Sequence, residues 1–358
     1  MRQVFKVVTA AVLVALLSLG SVASGFAQGG AGRPFITKWQ GKAGEALKLP
    51  IVGADYKLVI KDDKGKVVKT EEKVTVTGEG EAYYHPFTPT ADGVYTVEAG
   101  PEGVKYMLME TEIKDLNMIF LTSNDKLLKV LQFGTVAWES MKQMFYYCKQ
   151  MTFATGIDTP DLTKVTNMDM MFYGCTSFNQ PLNHWDVSKV TNMDMMFYGC
   201  TSFNQPLNNW DVSKVTNMSG MFFGCIAFNQ PLEKWDVSNV TDMNYMFFYC
   251  QSFNQPLGAW KLQNLIGGLS TTAMSVENYS QSLIGWAKQT NEYIYFGNNV
   301  KGLIYNDAGK EAREKLIARG WGFEGDIYQP SEKWLLPSLR KAKGRSQSRA
   351  TMRRGSRK

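Results

Sequence analysis

The sequence predicts a mixed fold class: an N-terminal all-β sandwich, then a short repeat solenoid, then a helical C-terminal cap. Three observations carry this reading. Residues 34–109 hold short runs of β-branched and aromatic residues divided by turn signals. From Val165 to Asn264 the chain repeats itself four times at a strict period of 25 residues, the mark of units that bury apolar faces only against their neighbours. Two segments with helical spacing follow where the repeat fails. At 358 residues the chain is long enough for two or three compact units.

The first element, residues 1–27, reads as a signal peptide. Arg2 and Lys6 form its basic start, Val7 to Leu19 its apolar core, and Gly25-Phe26-Ala27 a small-residue cleavage site. The apolar run is too short to span a bilayer, and no later run is long enough. No cysteine lies near the cleavage point, so the reading is a secreted or cell-surface protein without a lipobox. The net charge of +6 is concentrated at the ends. The last 30 residues carry ten Lys or Arg and one acid, the leader adds two, and residues 28–328 are left at −5. A mildly acidic body with a basic tail is not the pattern of a nucleic-acid-binding domain.

Residues 34–109 follow. Leu47 to Val52, Tyr56 to Lys61, Lys66 to Lys69, Lys73 to Thr77, Ala82 to Pro86 and Gly93 to Ala99 are strand-like runs. Asp62-Asp63-Lys64-Gly65 and Ala91-Asp92-Gly93 mark turns, and the whole suggests an Ig-like sandwich. Residues 110–164 form an N-terminal cap and a degenerate copy of the repeat, in which Trp138, Met141, Met144, Phe145 and Cys148 are recognisable.

Residues 165–264 are the four full copies. The first two, 165–189 and 190–214, differ only by His184 against Asn209. Met168, Met171, Phe172 and Cys175 stand at i, i+3, i+4 and i+7, one face of a helical turn. Leu182, Trp185, Val187 and Val190 follow the L-x-x-L-x-L spacing of a leucine-rich-repeat strand, with Asp186 pointing outward. At Trp260 the pattern stops, since Lys261-Leu262-Gln263 replaces Asp-Val-Ser. Residues 265–328 are expected to cap the array with helices at Val276 to Lys288 and Ala308 to Ala318. Residues 329–358 have the composition of a disordered basic tail.

The five cysteines, Cys148, Cys175, Cys200, Cys225 and Cys250, occupy one repeat position. Stacked units sit about 4.7–4.9 Å apart with parallel side-chain vectors. A disulfide needs Cβ atoms converging to about 3.8 Å. A column of reduced, buried thiols is therefore expected. Trp185, Trp210, Trp235 and Trp260 form a second structural column. Asn179, Asn204, Asn229 and Asn254 form a third, whose amides can bond to each other and to turn backbone.

At these residues the chain resembles the BspA-type leucine-rich-repeat surface proteins, whose unit is M-F-x-x-C/A-x-x-F-N-Q-x-L-x-x-W-D-V-S-x-V-T-x-M. Phe35-Ile36-Thr37-Lys38-Trp39 resembles that family's opening. Asp92-Gly93-Val94-Tyr95-Thr96-Val97 resembles the end of its PKD-like β domain, and Ser275 to Ala287 with Ala308 to Asp326 its closing segment. Two features depart from the family: Lys61-Asp62-Asp63-Lys64-Gly65 stands where relatives have a tryptophan-containing acidic turn, and the basic tail resembles no sorting domain. The resemblance implies a surface or secreted protein that binds host or neighbouring-cell macromolecules, with no catalytic activity and no cofactor.

The chemistry-bearing residues agree with a non-enzyme. His85 and His184 are the only histidines and lie far apart, which supports neither a triad nor a zinc site. Asp186, Asp211 and Asp236 could stack on the sheet face. Paired with Ser188, Ser213 and Ser238 they suit a structural role better than hydrolysis or calcium binding. The binding candidates are aromatic. Tyr146, Tyr173, Tyr198, Phe223 and Phe248 all follow the core phenylalanine, and Met170, Met195 and Tyr245 lie within i,i+3 reach of them. They form either a contact stripe along one flank or an outer core layer. A repeat sheet this narrow offers only roughly 250 Å². A standard interface uses about 800 Å² per partner, so flank, loops or β domain must contribute. The expected partner is an extracellular protein or glycan, with no nucleic acid. The basic tail is suited to weak contact with anionic envelope components. A secreted hydrolase using the Asp column and a structural envelope component are the alternatives.

Overall fold

The computed structural model describes residues 32–76, 84–107, 124–264, 266–290 and 293–331. The segment expected to be a signal peptide, residues 1–27, and almost all of the basic tail lie outside the described residues. No helix among the described residues is long and apolar enough to cross a membrane.

The N-terminal unit is built on β1 (Phe35–Gly41), β2 (Leu47–Leu49), β3 (Ile51–Lys61), β4 (Val67–Val76), β5 (His85–Phe87), β6 (Gly93–Ala99) and β7 (Val104–Met107). Strand alternation places Phe35, Trp39, Tyr56, Leu58, Ile60, Tyr95 and Val97 on one buried face. The other face carries ion pairs, Lys57 with Glu72 and Lys61 with Glu98. β1 also pairs antiparallel with β8 (Leu127–Gln132), and β8 pairs parallel with β9 (Thr152–Phe153). The result is one seven-stranded mixed sheet, β4-β3-β6-β1-β8-β9 with β7 beside β3.

The expected Ig- or PKD-like sandwich is therefore corrected. A sandwich needs two sheets of comparable breadth facing each other across the core, and here the strands join one seven-stranded mixed sheet. The separate pair in this unit, β2 with β5, has only three residues per strand. The chain invests its strands in width instead, running the sheet into the degenerate repeat.

The leucine-rich-repeat solenoid is corrected too. Residues 165–264 form neither a strand-lined sheet nor helices. Each copy is a closed circuit of tight turns, here called a tier, and tiers meet at isolated parallel bridges: Asn167 with Asn192, Asn192 with Asn217, and Asn217 with Asp242. The reason lies in backbone hand. Met171 N–H donates to Met168, Tyr173 to Met170 and Cys175 to Phe172, each closing an i→i+3 turn. Met170 and Gly174 between them sit at φ 52° and 70°, in the left-handed region that no α-helix continues through. The N–H groups of Met168, Met170, Phe172 and Gly174 point along the stack and donate to the next copy's Asn192, Asp194, Met196 and Tyr198. Met168, Met171, Phe172 and Cys175 still face inward, because two such turns give the same inward spacing as a helical turn. The supposed strand is likewise a pair of turns, Trp185 N–H to Leu182 and Val190 N–H to Val187.

The helices expected at Val276 to Lys288 and Ala308 to Ala318 are present, but the expected helical cap is corrected to a mixed α/β segment. α1 (Val276–Ala287) and α2 (Asp307–Ala318) alternate with β10 (Tyr295–Gly297), β11 (Ile304–Tyr305), β12 (Gly322–Phe323) and β13 (Ile327–Tyr328). These strands make two small parallel sheets, β10 with β12 and β11 with β13. Ser275 caps α1 and Asn306 caps α2, each side chain accepting N–H bonds from the first turn. Arg313 grips Asp326 with two 2.8 Å bonds, and the Tyr279 hydroxyl donates to the same carboxylate. The bidentate pair ties α2 to the residue just before β13.

α1 meets the last tier as another copy would. Trp286 Nε1–H donates to the Leu257 carbonyl at 2.9 Å, as Trp260 does to Leu232. Ser275 N–H and Asn278 Nδ2–H donate to the Asn254 side-chain oxygen, which completes that column.

Candidate functional site

Three columns of side chain fix the tiers. In the tryptophan column Trp210, Trp235 and Trp260 donate from Nε1 to Leu182, Leu207 and Leu232 at 2.8–2.9 Å. In the asparagine column the side-chain oxygens of Asn179, Asn204 and Asn229 accept the backbone N–H of the residue 25 further on, at 2.8–2.9 Å. Gln205, Gln230 and Gln255 donate to the same oxygens. In the cysteine column Cys175, Cys200, Cys225 and Cys250 donate from Sγ to carbonyls of Phe145, Phe172, Phe197 and Phe222. All five thiols are free and buried. Desolvation pushes them up, Cys250 to about 12. These columns hold the fold and present no reactive group to solvent.

Asp186, Asp211 and Asp236 lie on no sheet. Each accepts the N–H of the serine two residues on at 3.0 Å and is exposed. The bonds from Ser188, Ser213 and Ser238 hold these carboxyls below their usual range. Each carboxylate serves its own turn.

The aromatic stripe is assembled along one flank. Tyr146 is buried, while Tyr173, Tyr198, Phe223 and Phe248 are half-buried. The first three ring pairs stack at 4.9, 4.4 and 4.3 Å, and the last, Phe223 with Phe248, is tilted by 31° at 5.3 Å. Faces are thus covered by neighbours and edges are presented to solvent, so the stripe is both a packing layer and an exposed ridge. Burial raises the Tyr173 hydroxyl well above its ordinary range. Met170 and Met195 are half-buried beside this ridge, and Tyr245 is 62% exposed.

Two flanking features escaped the sequence reading. Met170, Met195 and Tyr245 share the left-handed position with Gln143 and Gly220. A second left-handed column runs through Tyr147, Gly174, Gly199, Gly224 and Tyr249. Tyrosine thus replaces glycine at both ends of that column, and Tyr249 is 50% exposed. The signal was in the text: Phe223-Gly224-Cys225 becomes Phe248-Tyr249-Cys250 one period later. The other feature is a second acidic column. Asp169 is buried against Lys142, and Asp194 has one buried oxygen without a hydrogen-bond partner. Burial, with Asp169 and Asp242 nearby, raises Asp194 to about 6. Its signal was an aspartate before each left-handed methionine.

Among the described residues no group of three or more His, Cys, Asp or Glu is arranged to hold a metal ion. An open cleft of about 560 Å³ lies between the 101–105 turn and the first tiers, rimmed by Glu102, Lys105, Glu139 and Lys164.

Neither a curated protein nor a solved structure matches the chain. The repeats and their flanks, over residues 114–219, 139–260 and 183–286, are similar to the family described as "Mycoplasma protein of unknown function, DUF285".

Proposed function

We propose that this chain is an exported recognition protein, secreted or held at a cell surface, that binds an extracellular protein or glycan along the aromatic flank of its tiers. The observation that carries the reading is the ridge of Tyr173, Tyr198, Phe223 and Phe248, half-exposed on a rigid stack and ending in exposed Tyr245 and Tyr249. A row of stiff aromatic edges offers large contact area at low entropic cost, the profile of interface hot spots. The reactive groups are spent internally: thiols on carbonyls, carboxylates on their own turns. The leader-like residues 1–27 and the resemblance of the repeat to BspA-type surface proteins support export and adhesion. No catalytic role is assigned.

The test is binding of the full chain to a panel of purified extracellular-matrix proteins and neutral glycans. Combined Tyr173→Ser, Tyr198→Ser and Phe223→Ser is expected to abolish whatever capture wild type shows. Asp186→Asn, Asp211→Asn and Asp236→Asn together should leave it intact. Capture lost with the carboxylates and kept without the aromatics would overturn the reading. Should the serine variant unfold, Tyr198→Leu alone supplies the comparison, since it keeps an apolar side chain and removes the ring.

A further inference from the structure

The last tier differs from those before it in shape and in charge. Inner tiers carry Met170, Met195 or Gly220 at one left-handed position and glycine at the other, whereas the last carries Tyr245 and Tyr249, at φ 56° and 60°. Their rings stand at 87° and 68° to Phe248, with centroids 6.1 and 4.5 Å away. Along the ridge each ring stacks on the next at 4.3–4.4 Å, but here the tyrosines stand across Phe248, Tyr249 also meeting Phe223 at 83°, and both remain at least half exposed. Neither tyrosine hydroxyl hydrogen-bonds to another described residue. Gly267 and Gly268 lie against this tier, close enough that a Cβ would come within 2.1 Å of Tyr245 N and 2.3 Å of Phe248 N. Neither position puts a side chain over the rings.

The surroundings are almost free of charge. Residues 241–252 carry one charged side chain, Asp242, and residues 264–272 carry none. Asp242 is half-buried and accepts Asn244 N–H at 2.9 Å within its own turn. Exposed Asn244 and Gln251 leave neutral amides at the rim.

We propose that Tyr245 and Tyr249, with Phe248 between them, form a binding site for a neutral carbohydrate, a pyranose ring stacking its C–H face on an exposed tyrosine. This rests on the recognition reading above and names its ligand class. A sugar ring offers polarised C–H bonds to a π face and hydroxyls to surrounding amides and phenols, which is the chemistry this tier supplies. A cation would call for a free carboxylate beside the rings, and an anion for Lys or Arg. The left-handed backbone holds both tyrosines on a stiff turn, so little freedom is lost on binding.

The variant Tyr245→Gly/Tyr249→Gly tests this on the full chain, because glycine already fills both positions one tier earlier, as Gly220 and Gly224. The probes are two uncharged hexasaccharides, cellohexaose and chitohexaose, titrated by calorimetry with saturation-transfer NMR. Wild type is expected to bind at least one, the glycine variant about tenfold more weakly or not at all, and Tyr245→Phe/Tyr249→Phe nearly as well as wild type. Equal binding by the glycine variant overturns the proposal, as does failure of both saccharides while tetramethylammonium or a decalysine peptide binds. If both saccharides fail but the Tyr173/Tyr198/Phe223 variant still loses capture of a matrix protein, the carbohydrate site falls and the recognition reading stands.

Discussion

The N-terminal sheet and the tier stack solve the same problem, pairing every buried backbone group, by opposite means. In the sheet, neighbours are distant in sequence: Phe35 pairs with Ala99, and Ile36 with Gln132. Its apolar face is filled by unlike residues fitted once. In the stack partners are either three residues away, within a turn, or about one period away, and the same side chain recurs at each level, so one fit is repeated. The sheet therefore depends on long-range register, whereas the stack depends on the identity of a few columns. A fault in a column should be felt above and below; a fault in the sheet should stay within it.

The largest expected effect tests that contrast. Trp39 and Trp210 are both buried and hydrogen-bonded, Trp39 to Thr37 Oγ1 and Trp210 to the Leu182 carbonyl. Replacing either by Ala should cost about 3–5 kcal/mol. Hydrogen exchange should accelerate in the tiers on both sides of Trp210→Ala, but within the sheet alone for Trp39→Ala. Exchange confined to residues 190–214 in the first variant would show that tiers are independent and break the comparison.

A smaller loss is expected from Asn204→Ala. Its side-chain oxygen accepts Asn229 N–H and Gln230 Nε2–H, and removal leaves a backbone donor unpaired between tiers. The cost should be about 1–3 kcal/mol, read from denaturant midpoints. Asn204→Asp keeps the acceptor and should recover much of it.

The smallest effect has the opposite sign. Asp194 is raised to about 6 in the folded chain, so folding favours its protonated form. Its carboxylate opposes folding above pH 6, and stability is regained as pH falls from about 6 toward 4, its unfolded range. Asp194→Asn should therefore raise stability at pH 7 by about 1 kcal/mol after solvent screening, and flatten the pH dependence between 4 and 6. Asp186, Asp211 and Asp236 run the other way: their lowered values favour folding above pH 4, and that contribution is lost below it. A melting-temperature series from about pH 2 to pH 7 on wild type and Asp194→Asn separates the two.

How much was legible follows from the same contrast. The 25-residue period, the inward faces and the membership of each column are periodic, and periodicity is visible in a string. Backbone hand is not. Met168, Met171, Phe172 and Cys175 give identical spacing on a helix and on two opposed turns, and only the recurrent Gly174, Gly199 and Gly224 hinted that a left-handed residue interrupts. The sandwich failed for another reason: the strand-like runs show which residues extend but not where β1 finds its partners. That Phe35–Gly41 bridges β6 to β8, tying sheet to stack, depends on contacts about 60 and 90 residues away. For the candidate site, the ridge was readable as a column, but its half-burial and the exposure of Tyr245 and Tyr249 depend on ring placements that only the assembled tiers set.

The docking of α1 has a consequence for the length of the molecule. Because Trp286, Ser275 and Asn278 take up the acceptors that a further copy would use, the closing unit recognises the generic end of the array rather than one particular copy. Copies 165–189 and 190–214 are almost identical in sequence, so unequal exchange between them would add or delete 25 residues in frame. Each event would lengthen or shorten the stack by about 4.8 Å, with both ends still fitting. The array is thus an adjustable spacer: its reach can change in one step while the surfaces that seal it stay the same.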